Sequence, residues 1–184
     1  MAKILPLSEL EASAQPALVS QAVQIFFETA NIQEFDSLLE REAFYQRWFG
    51  HYLDADPASF LLAIDDDDTA IGYLAGCVDS FSNQASGIIE DMGFYTPAFC
   101  AALRDYPSHL HINVKPGQQG KGIGRLLMAR YFALCRERGS SGIHVVTDTK
   151  SRAVRFYRHC GFTPFPPPDA DSDFALLVRA LSTN

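Results

Sequence analysis

Six residues near the middle of the chain, Gln119-Gly120-Lys121-Gly122-Ile123-Gly124, set three alternating glycines around a lysine, and Arg125 follows them. This composition suits an anion. The first N–H groups of a helix have no intrahelical partner and point outward, and the helix dipole favours negative charge there. Glycine lets the main chain come close to a ligand because no Cβ stands in the way. From Gly122 onward Ile123, Leu126, Leu127, Tyr131, Leu134 and Cys135 recur at helical spacing, whereas His109 to Val114 alternates polar and apolar as a two-faced strand does. Strand, glycine turn and helix together predict a phosphate cradle. Two common cradles do not fit. A P-loop requires Ser or Thr after its Gly-Lys pair, and here Gly122 follows Lys121. A dinucleotide fingerprint requires a third glycine where this chain has Arg125, counting from Gly120, or Leu127, counting from Gly122.

The strand before the turn carries the proton-transfer candidates. His109, His111 and Asn113 share one face, opposite Ile112. His111 titrates in the range a general base needs. Asp148, at the end of the next predicted strand, is a rival base acting through water. His109 and His111 form an H-x-H pair, but no third ligand follows at a diagnostic spacing, so no metal site is expected. Asp65 to Asp68 read as a solvated turn, because the glycine and distal glutamate of a calcium loop are not at their offsets.

The elements that must position these groups follow from pattern. Lys3 to Leu7 is a candidate first strand, and Pro16 opens a helix whose inner positions are Leu18, Ala22, Ile25 and Phe26. A second helix runs from Glu40 to Tyr52, with Phe44, Trp48 and Tyr52 on one face. Phe60 to Ile64 and Ala70 to Val78 flank the four aspartates as a β-hairpin. Ser80 to Pro107 is expected to hold a short helix and loops over one edge of the sheet, shaping an acceptor site. The helix after the turn should end at Gly139, with Arg136 and Arg138 in its last turn. Ile143 to Thr147 is a strand, Ser151 to His159 a short helix, and Phe174 to Leu181 a final strand reached through a proline-rich loop, Pro164 to Ser172.

Bulk composition narrows the class. The chain has 184 residues, 47% hydrophobic and 20% charged, which predicts a single domain with a sizeable core. A net charge of −7 argues against a general nucleic-acid binder, which needs a basic face. Cys77, Cys100, Cys135 and Cys160 are too widely spaced for a zinc knuckle or a disulfide framework. The first residues do not make a secretory h-region, and no run approaches the roughly 18 apolar residues of a membrane span. A cytoplasmic setting without membrane contact is expected.

Val114 to Gly124 resembles the acetyl-CoA motif of the GNAT N-acetyltransferase superfamily: Gln or Arg, two residues, Gly, one residue, then Gly or Ala. Ala153-Val154-Arg155-Phe156-Tyr157-Arg158-His159-Cys160-Gly161-Phe162 resembles the same superfamily's later block. The resemblance covers roughly Leu110 to Phe162; the preceding half agrees in the order of its elements. It implies one domain over residues 1–184 with the GNAT (acyl-CoA N-acyltransferase) fold, an α/β architecture whose mixed, mostly antiparallel sheet is flanked by helices. It implies acetyl-CoA as cosubstrate, no metal, and transfer of acetyl to a primary amine on a small molecule or peptide. Cofactor contacts carry over to Ile112, Val114, Gln119, Gly120, Lys121, Gly122, Ile123, Gly124 and Arg125. Tyr157 matches the tyrosine that protonates the departing thiolate, and its ordinary pKa of about 10 keeps it protonated at neutral pH; His111 is the candidate base. Two positions depart from the pattern: Lys150 stands where the family often has Asn, and Cys160 replaces the usual leucine. Tyr106 to Ile112 is also similar to the acetyltransferase-like C-terminal domain of O-GlcNAc hydrolases. That likeness implies a second possibility, an acetyl-CoA-binding module without catalysis.

Overall fold

A computed structural model describes residues 2–82, 85–90, 92–166 and 174–181. They divide into two compact units. The first runs to Cys77 and adds His111–Tyr131; the second takes Val78–Leu110 and the chain from Phe132 onward.

In the first unit, β1 (Lys3–Pro6), β2 (Phe60–Ile64) and β3 (Ala70–Cys77) form antiparallel ladders, Leu5 facing Leu62 and Leu61 facing Leu74. β2 and β3 are buried along their whole length. Both faces are covered, which is why their sequences run continuously apolar instead of alternating. The aspartates between them form the expected solvated turn: the Asp65 carboxylate accepts the N–H groups of Asp67 and Thr69, and Asp68 takes a φ of 53°. β3 lies close against the second half of β4 (Ser108–Val114), so that a Cβ on Gly72 would stand 3.1 Å from the Asn113 carbonyl oxygen. Glycine there permits the approach.

α1 (Gln15–Thr29) starts at Pro16 and buries Leu18, Ala22, Ile25 and Phe26, the four positions its periodicity selects. The second predicted helix is more complicated than its sequence pattern. α2 (Leu38–Tyr45) begins two residues early because the Ser37 hydroxyl accepts the Glu40 N–H. It passes into a π-helical turn, Gln46–Gly50, and on into α3 (His51–Ala55). The wider turn moves Trp48 and Phe49 round the axis, and π-turns of this kind are frequent at functional sites.

In the second unit, β4 pairs parallel with β5 (Gly142–Asp148) at Ser108–Ile143 and His109–His144. β5 pairs antiparallel with β7 (Phe174–Ala180), and β7 with β6 (Thr163–Phe165). The ladders read β1-β2-β3-β4-β5-β7-β6, a seven-stranded mixed sheet, antiparallel except at β4–β5 in the pairings described. The predicted loop from Pro164 therefore begins as an edge strand, where a proline's missing N–H is tolerated; its remainder, Pro167 to Ser172, lies outside the described residues.

The described residues between Ser80 and Pro107 hold two short helices, α4 (Ser86–Glu90) and α5 (Pro97–Ala102), where one was expected. This stretch is no loose overlay. Phe99 and Leu103 pack with Leu176 and Val178, and Ser80 and Ser108 tie its ends through bonds to Pro107 and Val78. α6 (Ile123–Glu137) buries Ile123, Leu127, Met128, Tyr131, Phe132, Leu134 and Cys135, while Leu126, expected inside, is 44% exposed. Gly139, at φ 75°, closes it with the paired bonds Gly139 N–H to Arg136 and Ser140 N–H to Cys135. α7 (Arg152–His159) is capped by the Ser151 hydroxyl.

Candidate functional site

The glycine turn lies in the first unit, between β4 and α6. Lys115 N–H bonds to the Ile71 carbonyl, anchoring the end of β4, and Gln118 N–H turns back onto Lys115. Gly117, Gly120 and Gly122 have φ of 81°, 77° and 85°. In this left-handed region an ordinary L-residue is disfavoured by roughly 1–2 kcal/mol. A Cβ at any of the three would meet nothing within 4 Å, so protein crowding does not explain the glycines; backbone conformation does, and it leaves the surface above them open. Leu126 N–H is the donor that reaches the Gly122 carbonyl, so the amides before it have no intrahelical acceptor. Ile123 is buried under the turn, with its Cγ2 beside Gly72. Gln119 donates to the Val114 carbonyl, Lys121 Nζ lies 2.8 Å from Gln118 Oε1, and Arg125 is exposed. Ile112 and Val114 are half-buried on β4, alternating with His111 and Asn113.

His111 and Asn113 converge on one group that sequence reasoning did not single out, the Tyr73 hydroxyl. Asn113 Nδ2 donates to Tyr73 Oη over 2.9 Å, and Tyr73 Oη lies 3.2 Å from His111 Nδ1. Trp48, Phe26 and Tyr73 place their ring centroids 6.2, 6.0 and 6.0 Å from the imidazole. Burial among these rings disfavours the charged form and pushes the His111 pKa down to about 4, so the ring is neutral at pH 7 but its pKa lies below the near-neutral range that recommended it as a base from sequence. The signal for Tyr73 was present: a tyrosine within an aliphatic strand needs a partner for its hydroxyl. Only the register between β3 and β4 identifies that partner.

The rival base, Asp148, lies at the end of β5. Asp148 is exposed, and its Oδ1 accepts the Lys150 N–H over 2.6 Å as part of the turn into α7. Tyr157 lies in the second unit, 6% exposed, its ring packed on Phe156 and Phe162. Burial, followed by the nearby Cys160 thiol, raises its pKa, so the phenol holds its proton throughout the neutral range. Cys160 is buried beside it.

His109 enters a different neighbourhood from His111. Its Nδ1 lies 2.7 Å from Ser80 Oγ, and its ring 5.5 Å from that of His144. His144 Nδ1 donates to the Tyr106 carbonyl, which leaves Nε2 to accept from the Tyr95 hydroxyl, both over 2.6 Å. Among the described residues no three His, Cys, Asp or Glu side chains gather in a metal-binding group. No helix of the described residues is long and apolar enough to cross a membrane.

Comparison with known proteins bears on the family and the fold. The model of the acetyltransferase (GNAT) family matches residues 20–162. Streptothricin acetyltransferase of Streptomyces lavendulae is 34% identical over 99 residues, 53% of this chain and 51% of that enzyme, so the chain matches about half the length of this relative. Among solved structures, SsHAT aligns over 98% of both chains at 18% identity with a TM-score of 0.74. The phosphinothricin acetyltransferase of Sinorhizobium meliloti, in complex with AcCoA, aligns over 98% of this chain and 88% of its own, at 18% identity and a TM-score of 0.58. At these identities the two structures share the fold.

Proposed function

The chain belongs to the acetyltransferase (GNAT) family, and from that premise we propose that it moves an acetyl group from acetyl-CoA to a primary amine of a small-molecule or peptide acceptor. The observation that carries this reading is the turn at the start of α6, with three left-handed glycines, open space above them and outward N–H groups. These features fit a pyrophosphate. Gly120, Lys121, Gly122, Ile123 and Gly124 would hold it through their amides, with Gln119 shaping the turn and Lys121 and Arg125 adding positive charge. The main-chain groups of Ile112 and Val114 are the candidates for holding the pantetheine arm. When bound, acetyl-CoA supplies an activated acetyl thioester.

The chain's own part is proton handling. His111, neutral at pH 7, is the candidate to take a proton from the acceptor amine, whose ordinary pKa of about 10.4 leaves it charged in water. Tyr157 Oη retains a proton and is the candidate general acid. Streptothricin as the substrate named for one relative, and phosphinothricin for one structural neighbour, support a small-molecule acceptor. Neither compact unit is one continuous stretch of chain, which supports reading residues 1–184 as a single N-acetyltransferase domain. A cytoplasmic setting belongs to the same reading, supported by four free cysteines, three of them buried.

Calorimetry with acetyl-CoA and free CoA tests the reading, alongside a Gly122→Asp, Gly124→Asp double variant. The expected result is micromolar binding by the wild type and none by the variant, followed by thiol release with members of an amine panel. No wild-type binding would overturn the reading. Binding without thiol release for any amine would favour the non-catalytic module.

A further inference from the structure

The oxygen shared by Asn113 and His111 points to a role for Tyr73 that its burial hides. A neutral imidazole carries one proton, and the hydrogen bond made by one ring nitrogen decides which nitrogen holds it. A histidine that takes a proton through Nε2 must therefore keep its own on Nδ1, and a group at Nδ1 must accept it. We propose that Tyr73, held by Asn113, is a positioning residue that accepts the His111 Nδ1–H, fixing both the tautomer and the ring so that Nε2 is the basic nitrogen.

Three observations carry this. First, Tyr73 Oη is within hydrogen-bond distance of two nitrogens at once, Asn113 Nδ2 at 2.9 Å and His111 Nδ1 at 3.2 Å. The Asn113 amide donates to that oxygen, and the His111 contact on its other side helps hold it in place. Second, the length at His111 suits a nitrogen donor. N–H···O bonds extend to about 3.2 Å, whereas O–H···O bonds are commonly about 2.7–2.8 Å. The same molecule provides the contrast: Tyr95 donates its hydroxyl to His144 Nε2 over 2.6 Å. Third, Tyr73 cannot easily move. It is completely buried, stacked parallel on Phe60 with an interplanar angle of 4° and set edge-on to Phe49. Gly72, its neighbour on β3, permits the close approach to β4 that brings the hydroxyl within reach. His111 as a residue is half-buried, with the rings of Trp48 and Phe26 set against its imidazole.

This assignment rests on His111 as the base of the proposed acetyl transfer, yet its first test needs no substrate. The full chain, labelled with 15N-histidine, reports the proton position on His111 by NMR, with His111→Gln assigning the signals. The wild type is expected to show Nδ1 protonated and Nε2 bare. Tyr73→Phe keeps the ring stacking and removes the hydroxyl, and should shift His111 toward the Nε2–H form. The same variant should lose about tenfold in kcat with the acetyl-CoA KM unchanged, a modest share of what a general base contributes. An Nε2–H tautomer in the wild type would overturn the proposal, as would a tautomer that Tyr73→Phe leaves unmoved. Failure of the acetyltransferase reading appears separately, as absent acetyl-CoA binding, and does not touch the tautomer measurement.

Discussion

Two histidines stand two residues apart on β4 and end in opposite circumstances. His109 belongs to a closed polar network, with Ser80 at its Nδ1, His144 alongside and Tyr95 beyond, and it is 4% exposed. His111 is half-buried, meets one hydroxyl through Nδ1, and is otherwise flanked by the apolar faces of Phe26 and Trp48. Burial lowers the pKa of both, and His144 lowers that of His109 further. The difference lies in what the surroundings use. In the second unit both nitrogens of His144 are spent on fixed partners, which is how a buried polar group is made affordable. Around His111 the shell holds the ring and commits one nitrogen. The first arrangement spends both ring nitrogens of His144 on fixed partners; the second shows one hydrogen-bond contact at the His111 ring.

That contrast is broken most sharply by activity. His111→Gln should lower kcat/KM at least about a hundredfold, the low end of general-base contributions, while shifting the urea midpoint little. Steady-state kinetics beside a denaturation curve check it, and a normal rate would return His111 to a packing role. His144→Ala should do the reverse. It leaves the Tyr95 hydroxyl and the Tyr106 carbonyl unsatisfied in a dry interior, at a cost of about 3 kcal/mol. A urea midpoint close to wild type would show that the network is not structural. Tyr157→Phe, in the second unit but assigned to chemistry, should cost about tenfold in kcat with acetyl-CoA affinity unchanged, as calorimetry would show. Unchanged turnover would remove the role of acid.

The remaining prediction concerns acid. His144 has a folded pKa near 4 against an ordinary value of 6.5, so between those limits the unfolded chain binds the extra proton. Its contribution to stability is complete above pH 6.5 and lost as pH falls toward 4. His109 and His111 shift in the same direction. Unfolding free energy should therefore decline across that window, and His144→Gln should decline less steeply. Parallel slopes for the two proteins would mean that other groups carry the acid response.

The chain's legibility varied for physical reasons. The Gly117 to Gly124 turn was readable because glycine is the residue that adopts positive φ without strain, so backbone geometry is written directly in residue type. The α1 face was readable because periodicity alone selects Leu18, Ala22, Ile25 and Phe26. The second helix was less so: a π-turn at Gln46–Gly50 has no sequence signature, and it carries Trp48, which meets His111. Ser80 to Pro107 was opaque because its two helices are short and its order comes from Phe99 and Leu103 packing onto residues some seventy positions later.

Sequence by itself determined the local devices: the glycine turn, the alternation of β4 and the closing glycine of α6. Each depends on neighbours within a few residues, where residue type and backbone angle are tightly coupled. Tertiary structure alone decided the partners: that Tyr73 meets His111 and Asn113 from roughly forty residues away, and that His109 joins Ser80 instead. A hydrogen bond between strands depends on their register, and register is set by the packing of the whole sheet rather than by either strand.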